Sequence, residues 1–240
     1  MTTKITTTKI VTSKAPAPLP SQASASNVTS SVAIAKPLRA AERIQRTAAD
    51  LFYREGIRAV GVDEIVTRAG VTKPSLYRSF GSKDELAASY MREYECRFFE
   101  RFEQAIAPYE GDPRAQLIAY FTHIASRTES PNYRGCGMSN AAVEYPRTAE
   151  HPQIHPARQV AEDNKREVRR RFREMAAAAG ARDAAGLGDA LLLILEGCFV
   201  AGQLFEPDGE RPSKAAPAAV RRLIDAYLAD DTAAEGDVGN

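Results

Sequence analysis

Residues 70–80, GVTKPSLYRSF, decide the fold because they place a turn and the start of a helix next to each other. Gly70 permits the turn, since glycine adopts backbone angles that other residues disfavour. Thr72 is a typical N-cap residue, which places Pro74 in the first turn of the next helix. Backbone N–H groups have no helical partner there, so the proline begins a helix and does not break one.

A second short helix is predicted just before this turn. Its apolar residues recur at helical spacing: Val62, Ile65, Val66 and Ala69. Leu76 and Phe80 form the inner face of the helix after the turn. Two short helices joined by a glycine turn form a helix–turn–helix, at about residues 61–80. The outer face of the second helix is polar and basic, as entry into a DNA major groove requires.

The rest of the chain also reads as helices, without strand-like alternation, so we predict an all-α protein. A first helix carries Ile44 and Phe52 at helical spacing, and Gly56 is expected to end it as a left-handed cap. The capping box SKDE at residues 82–85 starts a long helix at Lys83. Further helices are expected at about residues 112–128, 138–145, 157–179, 184–205 and 220–228.

The length of the chain allows one or two domains. Its overall charge is close to neutral and does not indicate a charged partner. The 240 residues carry a net charge of +1. Residues 36–83, however, hold ten basic and five acidic residues, which is a local footprint for nucleic acid. The most apolar stretch, ALLLILEGCFVAGQLF, is interrupted by Glu196 and preceded by Asp189. We expect it to be too short and too charged for a membrane span, with one side in the core and the other at a subunit interface.

The two ends of the chain are expected to be tails. Residues 1–37 are rich in Thr, Ser, Ala and Pro, which predicts a disordered segment. A weakly basic arm along DNA phosphates is the alternative for this segment. Residues 231–240 are predicted to form an acidic, frayed tail.

The cysteines and histidines give no metal site. Three cysteines without a C-x-x-C pair predict reduced thiols in a cytosolic protein. Cys136, in RGCGM beside a cation, is the candidate for a redox-sensing thiol. His151 and His155 are four residues apart, but Pro152 and Pro156 argue against a helix that would join them on a metal. We predict neither a metal nor a cofactor.

The run KREVRRRFRE, residues 165–174, is the most basic stretch of the chain. Glu167 precedes Arg171 by four residues, and Arg170 precedes Glu174 by four. This spacing is typical of a solvated helix face whose charges pair with one another. A nuclear signal or an additional DNA contact is the alternative interpretation.

A longer stretch resembles a known family. RIQRTAADLFYREGIRAVGVDEIVTRAGVTKPSLYRSFGSKDELAASYM, residues 43–91, is similar to the DNA-binding domain of TetR-type (AcrR-like) transcriptional regulators. The resemblance covers about residues 38–98 and implies an N-terminal three-helix DNA-binding domain there. It further implies that residues 99–230 form a helical domain for effector binding and dimerisation. The helix beginning at Lys83 would connect the two.

The resemblance also implies which residues contact DNA. Thr72 and Lys73 would start the recognition helix, and Tyr77 would bond a phosphate. Arg78 and Ser79 would tune sequence choice, and Lys83 would lie beside the DNA backbone. Pro74 is a candidate contact for a thymine methyl, and Ser75 completes the polar face. Gly61 stands where the family often has Thr or Ser, so a phosphate contact at that position is in doubt.

The effector site is less visible in the sequence. Six residues lie on predicted helices that could line a cavity: Tyr120, Phe121, Cys136, Met138, Asn140 and Glu144. Ordinary core or surface positions are the alternative for each of them.

The function that follows is a cytoplasmic, homodimeric, ligand-responsive regulator. We expect a repressor that a small-molecule effector releases from a palindromic double-stranded DNA operator. One alternative is a DNA-binding regulator controlled by a protein partner or by oxidation of Cys136. An all-α enzyme is the other, but no nucleophile–base pair, paired carboxylates or phosphate loop supports it.

Overall fold

A computed structural model of the chain describes residues 38–148, 153–205 and 211–229. Within these ranges it has no β-strand, which confirms the prediction of an all-α protein. The predicted tails, residues 1–37 and 231–240, lie outside the described residues. The helices are α1 Ala40–Glu55, α2 Val62–Ala69, α3 Lys73–Phe80, α4 Lys83–Ile106, α5 Pro113–Thr128, α6 Gly137–Glu144, α7 Pro156–Ala178, α8 Ala184–Leu204 and α9 Ala216–Leu228.

The glycines after α1 and α2 differ in conformation. Gly70 has φ 62° and ψ 43°, the left-handed turn that the sequence predicts. Gly56 has a positive φ of 92°, but its ψ of 150° is extended, so the prediction of a left-handed cap is wrong. A Cβ at Gly56 would meet the Glu144 carboxylate at 3.0 Å. The position therefore requires glycine both for its backbone angle and for the close approach of α6.

The start of α3 follows the sequence prediction closely. Thr72 is the N-cap, and Pro74 is the second helical residue. The Thr72 hydroxyl bonds the Ser75 hydroxyl at 3.0 Å instead of capping a backbone N–H. Ser82 caps α4 by accepting a bond from the Glu85 N–H at 3.0 Å, and α4 starts at Lys83 as expected.

Helices α1 to α3 form a small head around a shared apolar core. Ile44 and Leu51 of α1, Ile65 of α2 and Leu76 of α3 are completely or almost completely buried. The long helix α4 packs against this head at its start and against α5 and α7 further along. Helix α4 is therefore shared between the head and the remainder of the molecule.

Four aromatic rings hold α4, α5 and α7 together. The rings of Phe102 and Tyr120 have centroids 4.5 Å apart, and those of Phe121 and Phe172 are 5.8 Å apart. All four side chains are almost completely buried. Aromatic pairs at these separations contribute about 0.5–1.5 kcal/mol each beyond the area that they bury.

Helix α8 has one buried face and one exposed apolar face. Leu191 and Leu195 are buried among α5, α7 and α9. Leu193 and Leu204 are 74% and 73% exposed, and Val200 lies between them on the same face. With 21 residues, α8 is long and apolar enough to span a membrane by length and composition, so the expectation that it is too short is wrong. Its buried leucines fit a core helix.

Candidate DNA-binding surface and cavities

The outward face of α3 is polar and basic, as the sequence analysis expects. Leu76 points inward and is completely buried, which fixes the rotation of this two-turn helix. Ser75 is half-buried and hydrogen-bonded to Thr72. The exposed side chains on the rest of the face are Thr72, Lys73, Pro74, Tyr77, Arg78 and Ser79.

Lys73 is paired with the preceding helix. Its ammonium lies 2.7 Å from the Asp63 carboxylate, and both side chains are more than half exposed. The hydrogen bond to Asp63 and the charge of Asp63 raise the pKa of Lys73, so the lysine is positively charged. Exposed ion pairs contribute only about 0–1 kcal/mol, so a phosphate can replace Asp63 at little cost.

Tyr77 and Arg78 are free to meet a partner. Tyr77 is 47% exposed, which argues against its being a core residue. Arg78 is exposed, and within the described ranges it forms no ion pair. The Ser79 hydroxyl donates to the Ser75 carbonyl at 2.9 Å and so follows the helix backbone.

Lys83 differs from the other predicted DNA contacts. It is half-buried, and its Nζ lies 3.5 Å from the Arg58 carbonyl in the turn between α1 and α2. Burial lowers its pKa, although Asp84 and Glu144 partly compensate. The side chain thus reaches the head from the start of α4.

Most of the six predicted effector residues do not line either of the two cavities described below. Tyr120, Phe121, Cys136 and Met138 are buried core side chains. The Asn140 amide donates to the Arg134 carbonyl at 2.8 Å and orders the loop before α6. Of the six, Glu144 is the one that lines a described cavity.

Glu144 binds the head directly. Its carboxylate accepts the Arg58 backbone N–H at 2.8 Å, and the Arg58 guanidinium donates to its carbonyl at 3.2 Å. These two bonds join the end of α6 to the turn between α1 and α2. We call this contact the Glu144 bridge.

Cys136 belongs to a polar cluster that the sequence does not reveal. The Lys165 ammonium lies 3.5 Å from the Cys136 sulfur and 2.6 Å from the Glu196 carboxylate. The Ser139 hydroxyl donates to the same carboxylate at 2.6 Å. Burial lowers the pKa of Lys165, but its contacts with Cys136 and Glu196 raise it above its usual value. The cation beside Cys136 is therefore Lys165 of α7.

A cavity of about 660 Å³ adjoins the Glu144 bridge. Arg58, Asp84, Tyr145 and His155 are among the residues that line it. The rings of Tyr145 and His155 stack with centroids 3.6 Å apart, and the His155 Nε2 lies 3.2 Å from Asp84. In the described ranges no three His, Cys, Asp or Glu side chains are grouped for a metal. His151, the other histidine considered, lies outside those ranges.

A larger cavity, of about 1030 Å³, lies between α1, α4 and the end of α5, and we call it the α1–α4 cleft. Sequence reasoning missed it. The available signal is the spacing of Tyr90, Tyr94, Arg97 and Arg101, which places all four on one side of α4. Each of these residues lines the cleft, together with Arg127 from α5.

A family model and a solved structure that resemble this chain belong to the same family. The family model described as bacterial regulatory proteins, tetR family, matches residues 44–90. A solved structure of a TetR-family transcriptional regulator from Streptomyces coelicolor is 30% identical, with a TM-score of 0.71. That alignment covers 79% of this chain and 96% of the other.

Two curated relatives match over a shorter part of the chain. The HTH-type transcriptional activator FasR of Mycolicibacterium smegmatis is 34% identical over 90 residues, which are 36% of this chain and 40% of FasR. The HTH-type transcriptional repressor ComR of Escherichia coli is 30% identical over 91 residues, which are 38% of this chain and 43% of ComR. The chain thus spans about two fifths of the length of these two relatives, one an activator and the other a repressor.

Proposed function

The chain belongs to the TetR family of transcriptional regulators, and from that premise we propose that it is a cytoplasmic homodimeric repressor released from its operator by a small molecule. The observation that carries this proposal is the exposed polar and basic face of α3. We assign DNA binding to residues 38–98 and effector binding with dimerisation to residues 99–230, with α4 connecting the two.

The DNA contacts follow from the surface of α3. Thr72, Lys73 and Arg78 would reach base edges and phosphates in the major groove. Tyr77 would bond a phosphate, and the exposed ring of Pro74 would pack on a thymine methyl. In a dimer, two such helices would enter successive major grooves about 34–36 Å apart, which predicts a palindromic operator.

Dimerisation is supported by the exposed face of α8. Leu193, Val200 and Leu204 form an apolar stripe along three turns of this helix. Contiguous exposed apolar residues of this kind mark interaction surfaces. A second copy of the chain would cover the stripe and complete the burial of α8.

Release by a ligand requires that the head and the helical body be coupled. Among the described residues, α4, the Glu144 bridge and the Tyr53 hydroxyl connect the two. The Tyr53 hydroxyl accepts the Arg134 N–H at 3.1 Å and donates to the Gly135 carbonyl at 3.3 Å. A coupling of about 1–3 kcal/mol between ligand and DNA changes the affinity for DNA about 5- to 150-fold. This range is sufficient for a regulatory switch.

Selection of bound DNA from a random pool tests the DNA-binding proposal. We expect a palindromic site to be enriched. Arg78→Ala is expected to change the selected bases, and Lys73→Ala to weaken binding and reduce its salt slope by about one. Arg92→Ala, on the exposed side of α4, serves as the matched control. Enrichment of no sequence, or an unchanged site and affinity for both variants, would contradict the proposal.

Sedimentation tests the dimer. Replacing Leu193 and Leu204 together by glutamate should produce monomers, because charges would enter the interface. Tyr109→Glu, at an exposed aromatic residue away from α8, should leave the dimer intact. A wild-type monomer would exclude this arrangement.

Thiol control is a second candidate, favoured by the 3.5 Å contact between Cys136 and Lys165. An ammonium beside a thiol favours the reactive thiolate. The Cys136 side chain is 1% exposed, so an oxidant would need local opening. If peroxide weakens operator binding of the wild type and of Cys136→Ser equally, thiol control through Cys136 is excluded.

A further inference from the structure

One end of the α1–α4 cleft concentrates positive charge. Arg97 and Arg101 follow each other by four residues on α4, and Arg127 reaches the same cavity from the last turn of α5. His123 lies one turn before Arg127 on α5 but does not line the cleft; burial, and then the charges of Arg127 and Arg101, lower its pKa. Three arginines therefore line the cleft where α4 and α5 meet.

Each carboxylate that lines the cleft already has a partner within the protein. Glu42 accepts the Arg39 backbone N–H at 2.8 Å, and Asp50 lies 2.9 Å from the Arg54 guanidinium. Glu93 pairs with Arg97 and also accepts from the Gln45 amide at 3.1 Å. Throughout residues 38–148, 153–205 and 211–229, Arg101 and Arg127 have no ion-pair partner.

Arg101 is poorly placed without an anion. It is half-buried, and its Nε is buried without a hydrogen-bond partner. Burial lowers its pKa, and the charges of Arg127 and Arg97 lower it further. The buried Nε2 of His123 also lacks a partner. Because a buried donor without a partner is costly, an anion that accepts a hydrogen bond from the Arg101 Nε would be favoured.

The adjoining wall of the cleft is aromatic. The Tyr53 and Tyr94 rings stack at 6.3 Å between centroids, and Tyr90 meets Tyr94 edge-on at 6.1 Å. The Arg101 guanidinium lies 6.0 Å from the Tyr94 ring, so the cationic end and the aromatic wall are continuous. Tyr90 is 5% exposed, and its buried hydroxyl also lacks a hydrogen-bond partner.

We propose that the α1–α4 cleft binds a small aromatic carboxylate, with its carboxylate held by Arg101 and Arg127 and its ring packed against Tyr90 and Tyr94. A planar guanidinium matches a carboxylate with two parallel hydrogen bonds, which gives both strength and orientation. None of the six residues named as effector contacts in the sequence analysis belongs to this site. This site gives the effector of the proposed regulator a chemical class, and its role in regulation rests on the proposed function.

The position of the cleft connects binding to the DNA-binding head. One wall is α1, which belongs to the head, and the other is α4, which continues into the helical body. A ligand held between them favours one separation of α1 and α4 over others. Binding is therefore expected to change the affinity for DNA in addition to filling the cavity.

Direct titration of the full-length protein tests the site, with 1-naphthoate as the probe. The neutral 1-naphthamide removes the charge and keeps the ring, whereas inorganic phosphate keeps an anion and removes the ring. Calorimetry gives the affinity and does not depend on an optical signal from the nine tyrosines of the chain. The variants are Arg127→Met and the double change Arg101→Met with Arg127→Met. Arg92→Met, an exposed arginine of α4, is the control.

We expect saturable binding of 1-naphthoate to the wild type and to Arg92→Met. Loss of a charge-assisted bond should weaken binding about tenfold to a hundredfold in Arg127→Met, and more in the double variant. The amide should bind at least about tenfold more weakly. Equal binding of acid and amide, unchanged binding by both cleft variants, phosphate as tight as naphthoate, or no saturable binding of naphthoate would each overturn the assignment.

The titration contains no DNA, so its failure is separate from failure of the proposed regulator. Circular dichroism of each variant shows whether the fold is retained, and Arg127→Met provides the test if the double variant unfolds. Operator binding is then measured with and without 1-naphthoate. If naphthoate binds but the selection finds no operator, the site stands and the regulatory function falls.

Discussion

The cations of α7 and those of the α1–α4 cleft differ in whether they have carboxylate partners. On α7, Arg169 and Arg173 share Asp189 of α8 at 2.6 and 2.7 Å, and Arg170 and Arg171 share Glu167 at 2.6 and 2.8 Å. In the cleft, Arg101 and Arg127 share no carboxylate within the described residues. Helix α7 is the more basic stretch of sequence, yet carboxylates of the same helix and of α8 neutralise these four arginines.

This difference separates structural charge from charge that is available for a ligand. The ion pairs of α7 hold the helix to α4 and α8. They leave little positive electrostatic potential to attract an anionic ligand. The cleft arginines are half-buried and face one another, which is unfavourable until an anion arrives. The number of basic residues in a stretch is thus a poor guide to binding. What matters is whether their partners are already present.

The largest loss of stability is expected at Lys165, a mostly buried cation of α7. Lys165→Met would leave Glu196 with the Ser139 hydroxyl and no opposite charge. Removing one partner of a half-buried pair should lower the free energy of unfolding by about 2–3 kcal/mol. Urea unfolding followed by circular dichroism measures this change. Adding Glu196→Gln should restore most of the loss, and a double variant no better than the single one would argue against pairing as the cause.

Arg171 should show the next largest effect. Its guanidinium bonds Glu103 and Glu167 and lies 4.4 Å and 5.4 Å from the ring centroids of Phe99 and Phe102. Arg171→Met should cost about 1–2 kcal/mol in unfolding free energy. Arg170→Met is the matched control, since Arg170 is exposed and should lose at most about 0.5 kcal/mol. Equal losses would mean that the aromatic contacts contribute nothing.

Arg101 should respond with the opposite sign. Arg101→Met removes a cation that burial and two neighbouring arginines destabilise, while the methionine keeps most of the apolar stem. Unfolding free energy should stay constant or rise by up to about 1 kcal/mol in the absence of ligand. Thermal and urea unfolding of the ligand-free protein measure it. A loss comparable to that of Arg171→Met would show that Arg101 is structural.

The smallest effect should appear on acidification. The Arg170 and Arg171 bonds lower the pKa of Glu167 from about 4.5 to about 2. A carboxylate with a lowered folded-state pKa stabilises the fold above its unfolded pKa and loses that contribution as pH falls. Stability from Glu167 should therefore decline between about pH 4.5 and pH 2, by a fraction of a kcal/mol since the pairs are partly exposed. Glu167→Gln should flatten this part of the profile, whereas Arg101→Met should leave it unchanged.

The head was predictable from sequence because its signals are local. Gly70, Thr72 and Pro74 lie within five residues, and the structure confirms the turn at Gly70 and the helix start after Thr72, although the Thr72 side chain caps no backbone N–H. The self-pairing of Glu167 with Arg171 is confirmed for the same reason, since four residues along a helix is a fixed distance. The sharing of Asp189 by two arginines was not predicted, because it joins α7 to α8.

The cleft and the Glu144 bridge could not be predicted either, because both are formed by residues from different helices. Tyr53, Arg101 and Arg127 are far apart in sequence and meet only after three helices have packed. Glu144 was expected to contact an effector from its place on a short helix. Its carboxylate also bonds the Arg58 N–H, a backbone partner that no residue pattern reveals. The effector and DNA contacts of individual residues remain predictions.

The Glu144 bridge has a consequence for building hybrid regulators. A designer who exchanges effector domains between such proteins would cut within α4 and keep the head intact. In this chain that cut would also remove Glu144, and the Gly56–Arg58 turn would lose its support although its own sequence is unchanged. A transplanted body would have to supply a carboxylate at the end of its α6. The part that must be transferred together with this head thus includes Glu144, which lies more than eighty positions after Arg58 in the sequence.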